Sequence, residues 1–245
     1  MTLHWIDHVY FVLLAFVFPV TDFRMMRRSA KRIHAGEAGQ RMRLYRRILL
    51  LEWGCVAIFL VTWYVLGHGW AELGLELQSG TLAWIGYGLA TASCGALVLQ
   101  ARIVIRSTTN RALVRKQIGW LSFLTPSTGS ERRAFDALSV TAGVCEEILF
   151  RGFVIAYLTA ALAVTFWPAA LLSAVLFGAA HAYQGPSGAA KAGLVGVLMA
   201  LFYWLTGALW APIVAHAVMD LTSGRIAYAA SRDELAPGSS TCPAM

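Results

Sequence analysis

What most constrains this chain is a series of apolar stretches, each about 18 to 25 residues long and nearly free of charge. That length matches a hydrocarbon core of roughly 30 Å. In lipid the backbone has no water to bond, so each stretch must satisfy its own N–H and C=O groups as a helix. Composition agrees: 58% of the 245 residues are hydrophobic and 13% are charged, against roughly 25% charged in a soluble domain. The sequence therefore predicts an all-α fold, a polytopic transmembrane helical bundle. Seven spans are read, at 5–20, 48–67, 82–105, 135–161, 164–183, 189–206 and 209–229, with room for an eighth helix between them.

Charge distribution orients the bundle. Arg24, Arg27, Arg28, Lys31, Arg32, Arg41, Arg43, Arg46 and Arg47 crowd the first connection against one acid, Glu37. The 67–80 connection has Glu72 and Glu76 but no Lys or Arg, whereas 106–133 is again basic. Basic loops stay in the cytoplasm, so the N-terminus is expected outside and the C-terminus inside. The same residues favour anionic headgroups. The bilayer is thus the expected partner of this charge, and no nucleic acid is. Cys55, Cys94 and Cys145 lie in apolar sequence and Cys242 in the polar tail, without metal-ligand spacing or a disulfide pattern. The first apolar run lacks the basic start and small-residue cleavage site of a signal peptide and is expected to be retained. Between the third and fourth spans, Pro126, Ser127 and Glu131 suggest a capped amphipathic segment.

Ionisable groups in the last four spans point to chemistry. Each Asp, Glu or Arg at a helix centre costs about 2.5 to 3.5 kcal/mol on insertion scales. Span four nevertheless holds Glu146, Glu147 and Arg151, span five His181, and span seven His216 and Asp220. Glu147 and Arg151, four apart, share a face and can pair. Glu146 lies about 100° around the helix and is expected to face a different neighbour. His216 and Asp220 share a face, as do Phe177 and His181, where the aromatic would wall the site against lipid. Two carboxylates and two imidazoles buried together suit general-base activation of water, with an imidazole left to donate to a developing oxyanion. Depth along each span lets these groups meet in the inner half of the bilayer.

The strings Glu146-Glu147-x-x-x-Arg151, Phe177-x-x-x-His181 and His216-x-x-x-Asp220 resemble the three motifs of the CPBP family. This family comprises the type II CAAX prenyl endopeptidases and their bacterial relatives, also called the ABI family. TAGVCEEILFRGF at 141–153 and WAPIVAHAVMD at 210–220 carry the resemblance further, over about residues 120–225. It implies a glutamic-type intramembrane endopeptidase acting on a membrane-embedded or lipidated substrate near the cytoplasmic face, without a cofactor. The expected location is a bacterial inner membrane, multi-pass. By motif position Glu146 and His181 would activate the water, His216 would help hold the oxyanion, and Glu147 and Arg151 would brace the site. The family's third motif more often ends in Asn. Asp220, if ionised, cannot donate to an oxyanion, so it would be protonated there or would orient His216. Under this reading 1–120 holds N-terminal helices and basic loops, 121–229 the catalytic helical core, and 230–245 a flexible tail.

Other readings remain open. Glu146, His181, His216 and Asp220 form an N2O2 set of the kind zinc accepts. Cys145 beside Glu146 would suit a thiol protease, although a free Cys in an apolar helix is more often inert packing. A non-proteolytic immunity protein or scaffold, or a proton-relay transporter, would keep the same residues for other reasons. His4, His8, His34 and His68 sit at ends or loops and are expected to be solvated or interfacial. Most tryptophans, Trp63 among them, are expected to anchor at headgroup level. Gly178, Gly193 and Gly196 would permit close helix contact, and Lys191 would snorkel.

Overall fold

The computed structural model describes residues 1–233, which contain no strand. Eight helices follow one another: α1 Trp5–His34, α2 Gln40–Val65, α3 Thr81–Arg106, α4 Thr108–Ile118, α5 129–162, α6 Phe166–Ala180, α7 Pro186–Thr206 and α8 Trp210–Arg232. Four of them, α1, α2, α3 and α7, are long and apolar enough to cross a membrane. Only 17 to 22% of their most apolar stretches is buried inside the molecule, and Leu50, Ile58 and Val65 are plainly exposed. So much outward apolar surface suits acyl chains rather than water. By length and apolarity alone four of the seven expected spans qualify. The apolar α6 has 15 residues, and α5 and α8 interrupt apolar sequence with ionisable groups.

Several boundaries differ from expectation for physical reasons. The first helix does not stop at Val20 but runs through the arginines to His34. Lys31, Arg32 and His34 suit the negative end of the helix dipole. Within it, Pro19 cannot donate to the carbonyl one turn back, and the turn before it widens into a π-helix at Leu13–Val17. At the other end of the chain, Ser231 and Arg232 belong to α8 rather than to a flexible tail. The remainder of that tail, with Cys242, lies outside the described residues. The capped segment begins at Thr128, one residue past the Ser127 expected. Thr128 Oγ1 accepts from the Glu131 N–H at 3.2 Å, and the Glu131 carboxylate accepts from the Thr128 N–H in return.

Contacts between connections fix the threading. One end of the bundle gathers the N-terminus, the 66–80 connection and the tight turn at Gly207, whose φ of 63° suits a residue without Cβ. There the Leu209 N–H donates to Gly74 O at 2.8 Å and Trp210 Nε1 to Leu75 O at 3.0 Å. The opposite end gathers the arginine-rich connections. Arg41 pairs with Glu131 at 3.0 Å and Arg111 with Asp233 at 2.7 Å. Positive charge is thus concentrated at one end, called here the basic end.

Two expectations are overturned at the far end. His68 is not solvated: it is buried, with Nε2 3.2 Å from the buried Asp7 carboxylate, tying the start of α1 to the loop after α2. Trp63 is not a headgroup anchor but a core residue, 1% exposed and packed with Phe59, Phe153 and His68. Both sit beside apolar sequence, and tertiary packing closes over them.

Candidate active site

Close helix contact sets the site. A Cβ at Gly143 of α5 would lie 2.9 Å from the Ala217 backbone N and 3.0 Å from Ile213 O of α8. Only a residue without a side chain lets the two backbones come so near, and one turn further on the acids of α5 meet His216. There α5 changes to a π-helix over Glu147–Val154, a widening that is frequent at functional sites. His216 Nδ1 donates to Glu147 Oε1 at 2.8 Å, and the same oxygen lies 3.0 Å from Arg151 Nη1. The expected Glu147–Arg151 pair is therefore present. Its guanidinium has no aligned hydrogen bond from Nη1 or Nη2, so the contact is one of charge. Arg151 also stacks its Cζ 4.2 Å from the centre of the Phe177 ring.

His181 follows the last residue of α6. Its Nδ1 lies 2.9 Å from Phe177 O, one of the carbonyls that a helix end leaves without a partner. A carbonyl only accepts, so Nδ1 carries the proton and Nε2 is left free. Both imidazoles are thus held by Nδ1. His216 Nε2 lies 3.8 Å from Glu146 Oε2 and 3.7 Å from Asp220 Oδ2, distances at which charge acts but no direct hydrogen bond forms. Gly178, where a Cβ would sit 2.8 Å from Ala189 O, lets α7 press against the end of α6.

These side chains open on one cavity of about 390 Å³, lined by Glu146, Phe177, His181, His216 and Asp220. Met26, Leu124, Gln184 and Ser223 also line it, which places it toward the basic end. Glu147 and Arg151 lie behind this wall, fully buried. Three sequence expectations need correction. Glu146 and Glu147 do not face different neighbours; they straddle the two nitrogens of one ring, His216. The group that orients His216 is Glu147, because Asp220 stands on the Nε2 side. Phe177 is 2% exposed and packs between Arg151 and His181 instead of screening lipid.

Sequence reasoning also missed two residues. Asp22 of α1 and Glu52 of α2 line the same cavity. Glu52 carried the signal that revealed Glu146, an acid within an apolar span. Asp22 fell past the expected end of span one. Lys191 lines the cavity as well, while remaining exposed. Among the described residues no three His, Cys, Asp or Glu side chains converge closely enough to hold a metal ion. Cys145 is buried and lines the cavity.

The family model described as type II CAAX prenyl endopeptidase Rce1-like matches residues 133–222. No curated protein and no solved structure gives a match. The matched stretch contains Glu146, Glu147, Arg151, Phe177, His181, His216 and Asp220, and it leaves out the helices that supply Asp22 and Glu52. The family is one of proteases, and it is the family read from the three motif strings. Over residues 133–222, rather less than half of its length, this chain is similar to the Rce1-like type II CAAX prenyl endopeptidases.

Proposed function

We propose that the chain is an intramembrane glutamic endopeptidase that hydrolyses a peptide bond with a water held between Glu146 and His181. The observation that carries this reading is the anchoring of both imidazoles through Nδ1, which leaves each Nε2 for the reaction. Glu146 and His181 line one cavity without an ion-pair contact within 4.0 Å of each other, a gap suited to a bridging water. Glu146 takes a proton from that water as its oxygen bonds to the scissile carbonyl carbon. The oxyanion that forms accepts from Nε2 of a doubly protonated His216, whose charge is compensated by the Glu147 carboxylate 2.8 Å from its Nδ1. As the C–N bond breaks, Glu146 passes its proton to the leaving amine. Protonated Asp220 donates a second hydrogen bond to the oxyanion. No metal or organic cofactor takes part.

The substrate is a membrane-embedded or lipid-modified peptide, cut near the cytoplasmic face. In this reading seven spans cross a bacterial inner membrane with the basic end inside, a placement supported by the gathering of the arginine-rich connections at the end nearest the cavity. The test uses purified protein in detergent with a lipidated CAAX-type peptide, comparing wild type, Glu146→Ala and His181→Ala with and without a strong chelator. Cleavage by wild type that survives the chelator and is lost in both variants is the expected result. Equal cleavage by either variant, or loss on chelation, would show the mechanism to be wrong.

A further inference from the structure

The cavity wall that the family match leaves out has its own chemistry. Asp22 from α1 and Glu52 from α2 join Glu146 and Asp220, so four carboxylates line one space. The cations nearby do not balance them. Arg151 and His216 are both engaged with Glu147, and Lys191 is a single exposed side chain. Glu52 is the sharpest anomaly: its Oε2 is buried and has no hydrogen-bond partner. Glu146, Asp22, Asp220 and His216 line the same cavity as Glu52, three of the four being acids. A buried carboxylate oxygen in that state lacks both a countercharge and a donor. A proton would remove the charge and leave the oxygen unpartnered. Water would supply the donor without a countercharge. An ammonium or guanidinium group supplies both at once.

We propose that the cavity selects substrates carrying a basic side chain close to the scissile bond, and that Glu52, with Asp22, is its specificity-determining anchor. This deepens the reading of the cavity as the place of peptide cleavage and rests on it. The geometry disfavours the opposite choice. A carboxylate brought into this space would meet the charges of Asp22, Glu52 and Glu146 with only Lys191 and the already paired His216 to offset them, and an apolar side chain would leave Glu52 Oε2 as it stands. Since α1 and α2 lie outside the 133–222 match, this preference would belong to this chain's own first helices rather than to the matched core.

The test uses the full chain in nanodiscs, with Glu146→Gln introduced so that bound peptide is not consumed. Fluorescently labelled peptide pools carry Lys, norleucine or Glu at each position in turn of an otherwise apolar sequence, and binding is read by anisotropy. The Lys pool should bind at least about tenfold more tightly than the norleucine pool, as expected for a desolvated charge pair. Adding Glu52→Gln should erase that difference, whereas Glu52→Asp, which keeps the charge, should retain most of it. Asp22→Asn should reduce it. Equal binding of the Lys and norleucine pools, tighter binding of the Glu pool, or a Lys preference untouched by Glu52→Gln would overturn the proposal. Wild-type cleavage of the same pools separates the two readings. Selective binding without any cleavage would remove the protease and leave the cation preference standing; cleavage without a Lys preference would do the reverse.

Discussion

Among the described residues two histidine–carboxylate clusters are buried, and their difference shows what makes such a cluster a site. At the far end His68 lies against Asp7 at 3.2 Å and Glu72 at 3.8 Å, with its ring tilted 38° against Trp63. At the basic end His216 lies against Glu147 at 2.8 Å, with Glu146 and Asp220 on its other nitrogen. The components match; the surroundings do not. Asp7 Oδ2 also accepts from the His4 N–H at 2.8 Å, and the pair closes a helix start onto a loop under an aromatic ring. The His216 cluster faces a cavity and a second imidazole, and it leaves Glu146 without a direct hydrogen bond. The Asp7–His68 pair is satisfied and holds the fold together, although Glu72 Oε2 beside it has no hydrogen-bond partner. Buried charge left unsatisfied beside a space is available for a reaction.

The largest effect should separate the clusters by activity. Glu146→Gln should lower cleavage by on the order of 10⁴-fold, the upper range for a general base, while leaving the thermal midpoint near that of wild type. A variant that cleaves normally would place the His216 cluster in the same class as the His68 cluster. Next comes Glu147→Gln, which removes the countercharge of a fully buried Arg151. Breaking a buried pair from one side costs about 3 to 5 kcal/mol, read by chemical or thermal unfolding. Combining it with Arg151→Met should recover most of that stability and none of the activity, because His216 then has no carboxylate to hold Nδ1. If the double variant is as unstable as the single one, the contact is not the electrostatic brace its geometry suggests.

His68→Ala should do the opposite of Glu146→Gln. It strands the buried Asp7 carboxylate and should cost about 1 to 3 kcal/mol of stability, with specific activity per folded molecule unchanged. A loss of turnover at full stability would mean that the far cluster communicates with the cavity, and the contrast would collapse.

The sequence made the inner cluster legible and hid the outer one for the same physical reason. Glu146, His181, His216 and Asp220 stand within long apolar runs, where an ionisable group is costly and therefore conspicuous. Asp7 and His68 stand at the edges of such runs, where solvation is the natural expectation and only the packing of Trp63 and Phe153 removes it. Glu52 was visible by the same rule as Glu146 and was passed over because it belongs to no motif string. Asp22 was hidden by a boundary, since α1 carries its arginines as helix for several turns beyond its apolar part. The pairing of Glu147 with His216 was not readable at all. Two adjacent acids reach one ring only because Gly143 brings α5 and α8 together, and ideal helix spacing says nothing of that approach. The all-helical character itself followed from apolar run length, since lipid permits little else, whereas the basic α4 carries no apolar run.

The smallest effect tests the rule on a carboxylate outside the membrane. Burial pushes Glu131 upward, but the Ser127 N–H and hydroxyl and the Arg41 guanidinium outweigh it and hold its pKa below the ordinary 4.5. Its Oε2 accepts from Ser127 N at 2.9 Å and from Arg41 Nη1 at 3.0 Å, so it is a satisfied acid of the Asp7 kind. Because the folded value is depressed, its contribution to stability is fully present above the unfolded value and is lost as pH falls through the folded one. Glu131→Gln should therefore lower the thermal midpoint slightly at neutral pH. The gap from wild type should narrow on acidification, starting near pH 4.5 and closing once the folded carboxylate is protonated. Since the capping hydroxyl of Thr128 remains in the variant, the cap itself persists, and the pH-dependent part isolates the charge shared with Arg41. A gap that stays constant across that range would mean that Glu131 acts by shape and hydrogen bonding alone.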